Sequence, residues 1–159
     1  SKGNEFEDND ERAIFFARGV LETVKKLRWM PDIVHCHGWM SSLVPVYLRQ
    51  VYNDDPIFSD VKIVYSLYNN GFNKPFRDTF IDKIVADGID RAVLAEGTVP
   101  DFYNISKLAI DYSDGTIIGS KEVDGEVEKY IKSIDKPWLG YSGEEDYVDA
   151  YNDFYDKLV

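Results

Sequence analysis

Pro31-Asp32-Ile33-Val34-His35-Cys36-His37-Gly38-Trp39 is the stretch that decides the fold. A short unbroken apolar run that follows Pro-Asp and closes on glycine is how a strand buried on both faces of a parallel sheet reads. On its N-terminal side, Ala13, Phe16, Ala17, Val20, Val24 and Leu27 recur at three- and four-residue spacing, which predicts a helix over 13–27 with Lys25, Lys26 and Arg28 near its C-terminal dipole. Asp8 or Asp10 is its expected N-cap, and residues 1–11 read as a polar lead-in arm. On the C-terminal side, Leu43, Val44, Tyr47, Leu48 and Val51 resume helical spacing, with Pro45 admissible because it falls at the helix start.

The alternation continues. Val61 to Leu67 is β-branched and aromatic, closed by Asn69-Asn70-Gly71, and predicts a second strand. A helix is expected around Phe76–Ala86, and no structure is assigned to the rest of 72–104. Ile105, Leu108, Ala109 and Tyr112 predict a helix, and Asp114-Gly115 turns into a third strand at Thr116-Ile117-Ile118-Gly119. Ser120 is then expected to cap a helix carrying Val123, Val127, Tyr130 and Ile131 that ends by Pro137. A last, acidic helix spans about 144–158, with Tyr147, Ala150, Tyr151, Phe154 and Leu158 on one face. Strands alternating with helices imply the α/β class, a Rossmann-like doubly wound parallel sheet. Three strands are fewer than the roughly five or six usual for such a sheet, so residues 1–159 are expected to be a single, incomplete domain. An incomplete sheet leaves an open edge, and self-association into a homodimer is an expectation that follows from it.

Composition narrows the function classes. Of the 159 residues, 44% are hydrophobic and 30% charged, enough to build a core, and no apolar run approaches the roughly 18 residues of a membrane span. Lys and Arg total 18 against 29 Asp and Glu, a net charge of -11. That field repels a nucleic-acid backbone, so neither nucleic acid nor membrane is expected as a partner. Residues 1–12 and 141–159 hold 11 of the acids and 3 of the bases, so the excess sits at the ends. One cysteine, Cys36, forms no internal disulfide and suits a reducing compartment; with no signal-like segment at Ser1-Lys2-Gly3-Asn4, the cytoplasm is the expected location.

Ligands of open parallel sheets gather at the carboxyl ends of the strands, which singles out His35 to Trp39, Tyr68 to Gly71 and Gly119-Ser120. His35 and His37, two apart on a strand, share a face, with Cys36 on the other. Zinc needs four tetrahedral ligands and the chain offers no second Cys/His cluster, so no metal is expected. His35 also reads as a hydrogen-bonded core residue, Trp39 as core as readily as sugar platform, and Tyr68-Asn69 as an ordinary turn or as groups for a ligand hydroxyl. The Ser120 hydroxyl and the amides after it offer an anion site or a plain N-cap. No phosphate loop, G-x-G-x-x-G or nucleophile elbow is present.

Three blocks carry a resemblance. Pro31-Asp32-Ile33-Val34-His35-Cys36-His37-Gly38-Trp39-Met40 with Leu43-Val44-Pro45-Val46-Tyr47-Leu48 is similar to the P-D-[IV]-[IV]-H-x-H-[DN]-W-H and L-x-P-x-Y-L motifs of bacterial glycogen synthases and plant starch synthases. Lys62-Ile63-Val64-Tyr65-Ser66-Leu67-Tyr68-Asn69 resembles that family's K-x-V-x-T-[IV]-H-N, and Lys107 to Ser120 resembles a third family block in the family's order. The resemblance covers about residues 12–131 and only the second half of the family's N-terminal domain. It implies a partial N-terminal domain of a two-domain, GT-B type glycosyltransferase that transfers glucose with retention from ADP-glucose or UDP-glucose to an α-1,4-glucan. The nucleotide sugar is then a substrate, and no cofactor is implied. By the same resemblance His37 positions the transferred sugar, and His35, Trp39, Tyr68, Asn69 and Ser120 are candidates for substrate binding. Gly38 stands where the family has an acid, Met40 where it has a second His, and Tyr68 where it has the His of H-N. Those departures support a second reading, a degenerate relative that binds glucan or a protein partner without catalysis. Either way, the resemblance lacks the family's donor-contacting N-terminal loop and C-terminal domain, and this chain alone is expected to be inactive.

Overall fold

The computed structural model describes residues 5–159, and the first four residues of the expected lead-in arm lie outside them. Besides three short 3-10 helices, six α-helices and four strands follow one another along the described residues: α1 (Asn9–Leu27), β1 (Ile33–His37), α2 (Val44–Gln50), β2 (Lys62–Leu67), α3 (Phe80–Ala86), α4 (Phe102–Asp111), β3 (Gly115–Ile118), α5 (Gly125–Ser133), β4 (Trp138–Leu139) and α6 (Gly143–Asp156). The strands form one parallel sheet in the order β1-β2-β3-β4, with His35 opposite Val64, His37 opposite Ser66 and Leu67 opposite Ile118. This is the α/β sheet that the alternating pattern predicts. β4 was not expected: Thr116 pairs with Trp138 and Ile117 with Leu139, a strand of two residues too short to show a pattern.

Side chains alternate across the sheet and each face is covered separately. One face carries Cys36, Ile63, Tyr65, Leu67 and Ile118 into a single cluster with the buried residues of α1 to α5, among them Leu21, Tyr47, Phe80, Ile105 and Ile131. The other face carries Val64 and Ile117, joined by Ile33 and Leu139, against Tyr151, Phe154 and Tyr155 of α6 and Leu158 just after it. Burial of its thiol pushes Cys36 up to about 12, so it behaves as a small apolar residue of the larger cluster. α6 packs tightly over Gly115: a Cβ there would lie 2.8 Å from the Phe154 ring.

α1 starts at Asn9, four residues before the periodic stretch, which shortens the expected arm. Asp10 is fully buried and accepts hydrogen bonds from Arg77 Nε (3.0 Å), Arg77 Nη2 (2.8 Å) and Lys83 Nζ (2.8 Å), partners some seventy residues away. Burial alone would raise the Asp10 pKa, but the Arg77 and Lys83 hydrogen bonds outweigh it and hold the carboxyl below its ordinary value. Asp8 takes the N-cap position without a capping hydrogen bond and pairs with Arg12 at 2.9 Å instead. The helix ends on Arg28 in the left-handed conformation, φ 52°, whose N–H donates to the Lys25 carbonyl.

Two further expectations change. α3 begins at Phe80, not Phe76, because Phe76 belongs to an aromatic cluster, stacked on Phe72 at 4.8 Å and edge-on to Phe80 at 5.1 Å. Ser120 caps no helix: α5 begins five residues later, where the Asp124 carboxylate accepts from the N–H groups of Glu126 and Val127. Pro45 falls in the first turn of α2 as expected. No helix of the described residues is long and apolar enough to cross a membrane.

Candidate functional site

β1 is followed by Gly38, whose backbone has φ 71° and ψ 177° and whose N–H donates to the Ser66 carbonyl at 3.0 Å. A residue with a Cβ would be strained there, and the added atom would crowd the Asn70 amide at 3.3 Å, so glycine fits the turn. The turn releases the chain from the sheet directly after His37.

His35 and His37 project from the same face of β1, with ring centroids 3.9 Å apart and planes tilted by 31°. His35 is held on both nitrogens: Nδ1 lies 2.5 Å from the Tyr155 hydroxyl and Nε2 lies 2.6 Å from the Ser66 hydroxyl. A neutral imidazole satisfies both, one nitrogen donating and the other accepting. Burial, helped by the neighbouring His37, pushes His35 down to about 3, so it stays neutral in this seat. It is a positioning residue between the sheet and α6. His37 is exposed, and its Nδ1 pairs with the Tyr68 hydroxyl at 2.7 Å, leaving Nε2 for a ligand. Partial burial lowers its pKa as well, so the neutral ring prevails at pH 7.

A groove of about 470 Å³ opens beside these rings, lined by His37, Tyr68, Ser120, Tyr141, Tyr147 and Tyr151 among others. The Ser120 hydroxyl accepts from the Asn69 N–H at 3.0 Å, tying the turn after β2 to the turn after β3. Tyr68 leans over β3, and its ring occupies the space a side chain at 119 would need: a Cβ on Gly119 would come within 2.6 Å of it.

The structure therefore brings His35, His37, Tyr68, Asn69 and Ser120 together at the strand ends, with Asn69 contributing its backbone. Trp39 is not among the residues that line the groove. It is half-buried and packs against the main cluster, 5.2 Å from Phe72 and edge-on. Sequence reasoning missed Ser66, Tyr141, Tyr147, Tyr151 and Tyr155 as groups at this site. The signal for the three on α6 was the four-residue spacing of Tyr147, Tyr151 and Tyr155, which marks one helix face. Among the described residues, no three His, Cys, Asp or Glu side chains are grouped to hold a metal ion.

Known proteins resemble this chain in sequence and in fold. The starch synthase catalytic domain family matches residues 1–137. The chain is 35% identical over 136 residues to a glycogen synthase of Clostridium perfringens, covering 84% of this chain and 26% of that protein. It is 49% identical over 67 residues to a glycogen synthase of Chlorobium phaeobacteroides, covering 42% of this chain and 14% of that protein. In structure it resembles the catalytic domain of starch synthase IV from Arabidopsis thaliana, solved with ADP and acarbose, at a TM-score of 0.68 and 18% identity, covering 91% of this chain and 32% of the other. The chain thus spans about a quarter of the length of the Clostridium relative. By its family match and its sheet, it belongs to the glycogen and starch synthase family of glycosyltransferases.

Proposed function

We propose that this chain is part of the first catalytic domain of a glycosyltransferase that moves glucose from ADP-glucose or UDP-glucose to an α-1,4-glucan in the cytoplasm, and that it is inactive on its own. The observation that carries the reading is His37: a neutral imidazole at the carboxyl end of β1, steered by Tyr68 through Nδ1 and open to a groove through Nε2. A glucosyl group in transfer develops positive charge and must be held in one orientation, and a fixed neutral donor to a sugar hydroxyl provides that orientation without repelling the charge. His35, clamped by Tyr155 and Ser66, keeps the His37 ring from turning away. Inactivity of the isolated chain is inferred from the quarter of a relative's length that it spans.

The test is glucosyl transfer from radiolabelled ADP-glucose to glycogen by the complete natural gene product, run beside the 159-residue chain. Incorporation by the complete protein alone, abolished by His37→Ala, is the expected result; no incorporation by either sinks the transferase reading. One observation favours the second reading, a non-catalytic glucan or partner binder: Tyr68, standing where the family has histidine, spends its hydroxyl on His37.

A further inference from the structure

Two features of the molecule take no part in the site at the strand ends. The first is a cavity of about 990 Å³ between the start of α3 and the segment that leads to α4, with Phe76, Phe80, Ile81, Leu94 and Val99 among its walls. Its size lies at the top of the range of roughly 300–1,000 Å³ usual for ligand sites. The exposed carboxylates of Asp78, Asp90 and Glu96 also line it, against one cation, Arg91, which Asp82 already holds at 2.5 Å. An apolar cavity with carboxylates at its rim suits an apolar group that carries positive charge beside it.

The second feature is the end of α1. Lys25, Lys26 and Arg28 fall within four residues, and no other four residues of the chain hold three bases. Lys25 pairs with Asp55 at 3.2 Å, while Lys26 and Arg28 are exposed. Among and after them, Leu27, Trp29 and Met30 are each more than half exposed. The turn that presents these side chains is fixed. Arg28 is left-handed, its N–H and that of Trp29 donate to the Lys25 and Val24 carbonyls at 3.0 and 3.3 Å, and Pro31 follows. A preset apolar segment loses little entropy when it docks.

The segment cannot enter the cavity of its own molecule. Asp10, in the first turn of α1, is bonded to Arg77 and Lys83, which bracket the cavity residues Asp78, Phe80 and Ile81 in sequence. The cavity therefore lies towards the N-terminal end of α1, and Leu27 is about 25 Å further along that helix at its rise of about 1.5 Å per residue.

We propose that residues 26–30 of one copy dock in this cavity of a second copy, with Trp29 and Met30 on the apolar walls and Lys26 and Arg28 against Asp78, Asp90 and Glu96. Reciprocal exchange across a two-fold axis closes the pair as a dimer with two equivalent contacts. A chain of net charge -11 repels its own copies, and a contact between its densest basic run and an acidic cavity reverses that repulsion locally. Nothing in the contact depends on the transferase reading, and no cavity residue lies on the β1 edge.

The test is sedimentation equilibrium of the 159-residue chain and two single variants, alone and mixed. Trp29→Lys removes the docked ring and keeps the cavity, whereas Val99→Arg puts a cation in the cavity and keeps the segment. Both positions are more than half exposed, so both variants should melt with the parent. The parent is expected to dimerise at tens of micromolar and each variant alone at least tenfold more weakly. An equimolar mixture of the two should associate more tightly than either alone, because one intact segment then meets one intact cavity. Glu96→Lys, a charge reversal on an exposed lining residue, should weaken the dimer as well. A monomeric parent, a Val99→Arg chain that dimerises like the parent, or a mixture no tighter than its components overturns the proposal. The second of these outcomes assigns the self-association to the β1 edge instead.

Discussion

The imidazole of His37 lies 3.9 Å, centroid to centroid, from that of His35, and the two rings share the end of one strand. Two imidazolium ions at that distance would repel strongly in a partly buried site, so the geometry requires at least one neutral ring. The physical order is set by depth: His35, half-buried and bonded on both nitrogens, is the one pushed to about 3, while exposed His37 is lowered less deeply by partial burial. With two histidines in the chain, proton NMR assigns them directly. Between pH 7 and 4 one set of ring signals is expected to titrate, that of His37, with a midpoint below 6.5. Two sets moving near 6.5 would show that α6 does not seat on His35.

Stability should follow the same group. The folded pKa of His35 lies below the value of about 6.5 in an unfolded chain, so below that pH the unfolded state takes up a proton that the folded state refuses. The folded form is therefore fully favoured above about pH 6.5 and loses ground as pH falls towards 3, by up to about 1.4 kcal/mol per pH unit. Asp10 has its pKa lowered, so what it contributes is lost only at more acid pH, as its carboxyl protonates, and the window from pH 6 to 5 belongs to the histidines. Urea unfolding at pH 7, 6 and 5 should show the decline, and His35→Gln should flatten it. A parent chain equally stable at pH 7 and 5 contradicts the neutral seat.

Much of this site was legible because it sits where pattern is strongest. The run Ile33 to Cys36 reads as a strand, and a period of two places His35 and His37 on one face, as found; the strand is not buried on both faces, however, but lies at the sheet edge, half-buried except at Cys36 and exposed at His37. What escaped reading depends on distant partners. Asp10 extends α1 because Arg77 and Lys83 come to meet it, and nothing within the first fifteen residues encodes that. Trp138-Leu139 is a strand only because β3 offers its edge. Ser120 looked like a cap because it follows a strand, but the helix waits for Asp124, whose carboxylate reaches two amides. Tyr155 joins the site from 120 positions away in sequence, across a contact that no local periodicity records.

The seat of α6 can be tested without touching a histidine. A methyl group at Gly115 would meet the Phe154 ring at 2.8 Å and Leu158 Cδ1 at 3.1 Å, both packed on the sheet face that α6 alone covers. Gly115→Ala should therefore lift the helix, at a cost of about 1–3 kcal/mol for overpacking. Limited proteolysis should cut the chain near residues 140–143 faster than in the parent. Unchanged cleavage and melting would mean that Phe154 shifts freely and that α6 is not held there.

The sheet ends at β1, whose outer edge pairs with no strand among the described residues. Close by in sequence, Leu27, Trp29 and Met30 are 69%, 61% and 66% exposed. An open parallel edge next to exposed apolar side chains favours pairing with another chain. The isolated chain is expected to run as a dimer in sizing with light scattering, and Trp29→Lys should shift it towards monomer. A monomer at tens of micromolar concentration would show that the edge is protected some other way.

Gly119 and Tyr68 form a matched pair whose coupling can be measured. The Tyr68 ring fills the place of a Cβ at 119, at 2.6 Å from its Cε1, and from there its hydroxyl reaches His37 Nδ1. Gly119→Ala must displace the ring, and a displaced ring lets go of His37 and opens the groove to water. The expected cost is about 1–3 kcal/mol, with the His37 midpoint rising towards its ordinary value while His35 stays unmoved. Tyr68→Ala alone should also free His37, but it removes the clash, so the double variant should be more stable than the two single costs predict. Thermal unfolding of the four proteins gives the coupling, and NMR of His37 shows whether it acts at the site. Additive costs, or a His37 resonance indifferent to Gly119→Ala, would mean that Tyr68 is not what steers the imidazole.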